Sequence, residues 1–165
     1  MRLAEYTDYT LRVLMYCAAN PDRLVTIAEM AESHEVSKNH LMKIVNDLAR
    51  QGLLETTRGR GGGVQLLKPA AQIRIGDVVR AAETDFRLVE CFDAASNTCS
   101  LTATCRMKKL LDSALQAYFR ELDGATLADL VGPPVKRSRT GAGIIIPIRD
   151  ASRPAAAKRR PRARA

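Results

Sequence analysis

The stretch of residues 26–68 leaves this chain few ways to fold. Thr26 stands before IAEMAESH with Glu29 three residues on, the reciprocal arrangement that starts a helix. Ser37 is a cap for KNHLMKIVNDLARQ, whose apolar residues Leu41, Ile44, Val45 and Leu48 share one stripe, and Gly52 ends that helix. Two strand-like runs follow, LLETT and VQLL, joined by Arg58-Gly59-Arg60-Gly61-Gly62-Gly63. They predict a hairpin with a flexible cationic tip. A helix, a short helix, a longer helix and a basic hairpin make a winged helix-turn-helix, so the expected fold class is mainly α with a small β wing.

The leading helix of that set spans residues 3–19, with Leu3, Tyr6, Thr10, Val13, Leu14 and Cys17 near one stripe, and Asn20-Pro21-Asp22 closes it. After the hairpin, Pro69 breaks the chain and residues 73–83, IRIGDVVRAAE, predict a second-tier helix with Ile75, Val78, Val79 and Ala82 apolar. Residues 86–89 read as a short extended piece. Further on, Met107, Leu110, Leu111, Ala114, Leu115, Tyr118, Phe119 and Leu122 recur at helical spacing over about four turns. Part of that stripe suits packing on the body, and the surplus predicts a two-fold interface and a homodimer, since helix-turn-helix proteins commonly read DNA as pairs. The competing reading is that the stripe is simply core. The expected organisation is a DNA-binding domain over residues 1–70, a loop and dimerisation helix over 71–131, and a tail over 132–165.

Charge matters here by location. The chain of 165 residues carries a net +8, but residues 135–165 hold +9 of it and residues 1–134 are left at −1. Within the near-neutral part, residues 36–68 carry Lys38, Lys43, Arg50, Arg58, Arg60 and Lys68 against Asp47 and Glu55, a local +4. A basic patch on a winged helix points to a phosphate backbone. Ser37, Lys38, Asn39, His40 and Lys43, at the start of the third helix, are expected to face the major groove of double-stranded operator DNA, and Arg58 and Arg60 to enter a narrow minor groove. A winged helix that binds protein instead is the alternative, and the cationic tip counts against it. The tail is expected to be disordered, by composition, and either adds salt-sensitive DNA affinity or has no role. Its apolar island, Ile144 to Ile148, suggests no purpose.

Three of the four cysteines lie in CFDAASNTCSLTATC, Cys91, Cys99 and Cys105, with seven and then five residues between them in a polar stretch without hydrophobic period. That reads as a loop. No run approaches roughly 18 apolar residues and no apolar leader opens the chain, so no membrane association is expected and the compartment is expected to be reducing cytoplasm. There, gathered thiols mean a soft metal or redox chemistry, with iron and sulfide favoured and a zinc-stapled or thiol-oxidising DNA-binding protein left open. An enzyme or electron carrier is disfavoured: no nucleophile has a partnered base, His34 and His40 lie in the DNA-binding region, and no glycine-rich phosphate loop follows a strand. Cys17, on the apolar face of the first helix, reads as a small core residue.

The wing RGRGGGVQL, then KPAAQIRIGDVVRAAE, then three cysteines before a long helix resemble the Rrf2 family of bacterial transcription regulators over about residues 1–131. EYTDYTLR near the N-terminus and GATLADLV at 124–131 look like its nitric-oxide-sensing members. Lys108 stands where members that sense cluster assembly have a histidine, and the spacing between the first two cysteines is longer than in several relatives. The resemblance implies an iron-sulfur cluster held by Cys91, Cys99 and Cys105, with four irons preferred and two possible, and its coordination completed by Asp8 of the partner subunit. Without that resemblance Asp8 reads as a locally hydrogen-bonded helix residue. The implied function is repression that nitric oxide relieves, and an iron- or redox-responsive regulator needs almost the same three cysteines.

Overall fold

The computed structural model describes residues 2–132; the tail beyond Gly132, with Ile144 to Ile148, lies outside the described residues. In chain order the elements are α1 (Glu5–Ala18), α2 (Ile27–His34), α3 (Lys38–Arg50), β1 (Leu54–Thr57), β2 (Gly63–Leu66), α4 (Ile75–Ala82), α5 (Arg106–Asp123) and α6 (Leu127–Val131), with one-turn 3-10 segments at Ala70–Gln72 and Glu90–Phe92. The mainly helical fold with one small antiparallel sheet is the one the sequence predicts.

The expected caps form. The Thr26 side chain accepts the amide of Glu29, and the Ser37 side chain accepts the amide of His40. Each satisfies an N–H that a helix start leaves without an intrahelical partner. Glu35, with φ of 54°, ends α2 in the left-handed region and turns the chain into α3. In the wing β1 pairs antiparallel with β2, Leu54 opposite Leu66 and Thr57 opposite Gly63. Val25 adds a bridge to Val64, its amide and carbonyl exchanging bonds of 2.9 and 2.8 Å with that residue. The tip reverses through Gly59 and Gly61, at φ of 96° and 79°, values that side chains with a Cβ rarely adopt.

α1 is the element the rest packs on: it lies against α3, β2, α4 and α6. Val13, Leu14 and Cys17 of α1 share one core with Val25, Met30, Leu41, Ile44, Val45, Leu48, Leu54 and Val64 from the DNA-binding region and with Ile73, Ile75, Val78, Val79 and Leu127 from the second tier. Cys17 is 2% exposed, the core position expected of it. Ala4, just before α1, has no side chain able to cap a helix, and Glu83 at the end of α4 does so from a distance. Its Oε2 accepts the Ala4 amide at 2.9 Å and the Thr7 hydroxyl at 3.0 Å.

α5 is anchored at its C-terminal half. Arg80 of α4 forms a two-pronged pair with Asp123 at 2.6 and 2.7 Å while lying over the Phe119 ring, and Phe86 meets Phe119 edge to face at 4.8 Å between centroids. The N-terminal half is bare: Met107 is 60% and Leu110 69% exposed, and no α5 residue is fully buried. Simple core membership therefore does not account for the stripe in this chain taken alone.

Candidate DNA-reading face and cysteine loop

The third helix buries Leu41, Ile44, Val45 and Leu48 and turns the opposite face outward. Asn39, Met42, Lys43, Asn46, Asp47, Ala49 and Arg50 of that face line an open groove together with Arg58 from the wing. Helix and wing thus border one concave surface carrying three cations, Lys43, Arg50 and Arg58. Lys38 and Arg60 are exposed, on the first turn of α3 and at the wing tip. Ser37 is committed to its cap, and the His40 ring rests edge-on against Tyr9 at 5.3 Å, half-buried. Arg50 belongs to the basic patch that the sequence reading counts over residues 36–68, whereas Met42 and Asn46 were missed, although Asn46 continues the helical spacing of Asn39 and Lys43.

The one acid of the groove is already engaged. Asp47 accepts the Tyr6 hydroxyl at 2.7 Å and pairs with Arg50, and these partners hold its carboxyl below the usual range. Burial, followed by Asp47, pushes the Tyr6 hydroxyl up to about 12. α1 therefore grips α3 at two places, Tyr6 on Asp47 and Tyr9 on His40.

The cysteine segment is a loop held by its own side chains. Arg87 binds Asp85 at 2.9 Å and Asp93 at 2.6 Å, and the hydrogen bonds that its guanidinium and then its amide donate hold the Asp85 carboxyl down to about 2. Glu90 accepts the amide and hydroxyl of Thr98 at 2.6 and 2.7 Å, bonds that hold its carboxyl below the ordinary value. Asn97 accepts the Cys99 amide, and Thr102 donates to the Cys99 carbonyl. Cys91 sits half-buried in the 3-10 turn, Cys99 is exposed, and Cys105 caps α5, its Sγ accepting the Lys108 amide at 3.4 Å. All three are free thiols.

These donors suit an iron-sulfur group by chemistry. They are soft and free of disulfides, Cys99 exposed and the other two half-buried, and Cys105 stands at the positive end of a helix dipole, a favourable place for a ligand sulfur that carries negative charge. In this single chain they are not drawn together: among the described residues no three Cys, His, Asp or Glu side chains are grouped so as to hold a metal ion. Asp8 is on α1, where its carboxylate pairs with Arg12 at 2.7 Å, the local engagement that an ordinary helix residue would show.

A capped helix-turn-helix with a cationic wing, backed by a second helical tier and a cysteine loop, defines a DNA-binding transcription regulator of the winged-helix class. The chain belongs to the Rrf2 family: the family model described as an iron-dependent transcriptional regulator matches residues 3–133. It is 50% identical over 132 residues to the HTH-type transcriptional regulator NsrR of Bacillus subtilis, covering 79% of this chain and 90% of that one, and 48% identical to NsrR of Bacillus licheniformis, covering 79% and 92%. In fold it is similar to CymR, the global cysteine regulator of B. subtilis, with a TM-score of 0.64 at 22% identity over 79% of this chain and 96% of that one. No helix among the described residues is long and apolar enough to cross a membrane.

Proposed function

We propose that the chain is a cytoplasmic repressor that binds operator DNA as a homodimer and releases it when nitric oxide reaches an iron-sulfur cluster held by Cys91, Cys99 and Cys105. The observation that carries this is the placement of three free thiols on one short loop immediately before α5, in a chain half identical to regulators named NsrR. The exposed Met107 and Leu110 support a two-fold interface along α5. When bound, an iron-sulfur cluster supplies a centre that small neutral diatomics attack. A four-iron form with the partner subunit's Asp8 as its oxygen ligand is favoured, and a two-iron form is the alternative.

The chain's own residues do the rest. Ser37, Lys38, Asn39, His40 and Lys43 meet the major groove through the start of α3, with Arg58 and Arg60 at the minor groove. Asp8 is next to Tyr9 and one turn before Arg12, and it lies on the helix that grips α3, so any pull on Asp8 bears on the recognition helix. A coupling of about 1–3 kcal/mol between the two sites changes DNA occupancy about 5- to 150-fold. Operator affinity of the anaerobically purified dimer, measured before and after stoichiometric nitric oxide, tests the reading; unchanged affinity overturns it. Visible absorption of the same sample decides against the zinc or disulfide alternative, since zinc gives none.

A further inference from the structure

The geometry points to Met42 as a residue that sets sequence preference, by contact with a thymine methyl group in the major groove. This rests on the DNA-binding reading above and goes past it to a particular base and atom. Met42 is 46% exposed, the only large apolar side chain so exposed between residues 2 and 66 among the described residues. Single exposed apolar residues are ordinary on protein surfaces. What separates this one is its address: it lies on the outward face of α3, lining the groove with Asn39, Lys43, Asn46, Arg50 and Arg58.

That lining names its occupant. Lys43 and Arg58 supply the groove's unpaired positive charge, and the carboxylate of Asp47 is tied to Tyr6 and Arg50. A polyanion fits such a groove, and an acidic protein would find amide groups but only one apolar anchor. Asn39 and Asn46 lie one to the N-terminal side and one to the C-terminal side of Met42 on the same face, and amide side chains suit base edges. The apolar group that a base pair offers to the major groove is the thymine C5-methyl. An unbranched thioether one turn into a recognition helix has the reach and the softness to cover it.

The test removes one methyl group and nothing else. Duplexes are selected from a random pool with the full-length chain, purified anaerobically, and each dT of the enriched site is then replaced by dU. Burial of one methyl-sized group corresponds to about fourfold in affinity, so one thymine per half-site is expected to show a loss of that size in the wild-type chain. Met42→Ala and Met42→Gln are expected to bind the dT and dU duplexes equally, while Met42→Leu keeps a preference. If no thymine is sensitive to the exchange, or if M42A and M42Q keep the full penalty, Met42 does not read a methyl group and the proposal fails while DNA binding stands. If the pool yields no enriched duplex, the DNA-binding reading itself fails.

Discussion

Glu83 is placed to decide how firmly α1 is held, and its replacement gives a number to check. Its carboxylate accepts the Ala4 amide and the Thr7 hydroxyl, and Thr7 is fully buried. In Glu83→Ala the amide of Ala4, the residue that opens α1, loses its acceptor, worth about 1 kcal/mol for a helix start. The Thr7 hydroxyl is left buried without a partner, worth about 1–2 kcal/mol more. The expected loss is therefore about 2–3 kcal/mol, which for a unit of this size lowers Tm by roughly 6–12 °C. Urea unfolding followed by far-UV circular dichroism reads it as a shift in midpoint at constant slope. Glu83→Gln keeps an acceptor and is expected to lose less than half as much. Thr7→Val combined with Glu83→Ala completes a cycle in which the two losses are not additive. A Glu83→Ala midpoint within about 0.5 kcal/mol of wild type, or strict additivity with Thr7→Val, refutes the reasoning.

Thr10 is 2% exposed and its hydroxyl has no partner, so Thr10→Val is expected to stabilise the fold by about 1 kcal/mol in the same assay. Burial, and then the charge of Arg12, hold the His34 imidazole below its ordinary 6.5, with Asp8 opposing. Below pH 6.5 the unfolded chain takes up a proton that the folded chain resists, so stability falls as pH drops from 6.5 toward the lower folded value; His34→Gln is expected to flatten that part of the profile. Arg58→Ala is expected to weaken binding and to reduce the slope of log affinity against log salt by about 1, as loss of one cation held against the DNA backbone does. An unchanged slope places Arg58 away from the backbone.

The helix-turn-helix was legible because its signals are local. Thr26 and Ser37 each sit three residues before the amide they cap, and RGRGGG between two strand-like runs suits little except a tight reversal. α6 was missed, although Thr126 and Asp129 form a capping box and Leu127 is fully buried; five residues are too few to show a period. The Glu83 cap joins positions 76 and 79 residues apart and leaves no pattern in the sequence. At the groove, Asn46 and Arg50 follow from helical spacing, whereas Met42 is apolar on a helix and reads as core until its exposure is seen. In the cysteine loop the donor chemistry was legible from residue types. Among the described residues the three sulfurs are not grouped so as to hold a metal ion, and local sequence carries no signal of where a loop without hydrophobic period places them.

Cys17 is sealed in the core, and burial pushes its thiol up to about 12. It stays protonated and shielded at any working pH, while its three counterparts lie within reach of solvent. An aromatic disulfide reagent should therefore count three sulfhydryls on the folded, metal-free chain and four once denaturant is added. The hidden one gives every preparation its own internal gauge of how much of the sample is folded, read in the same cuvette as the reactivity of the rest.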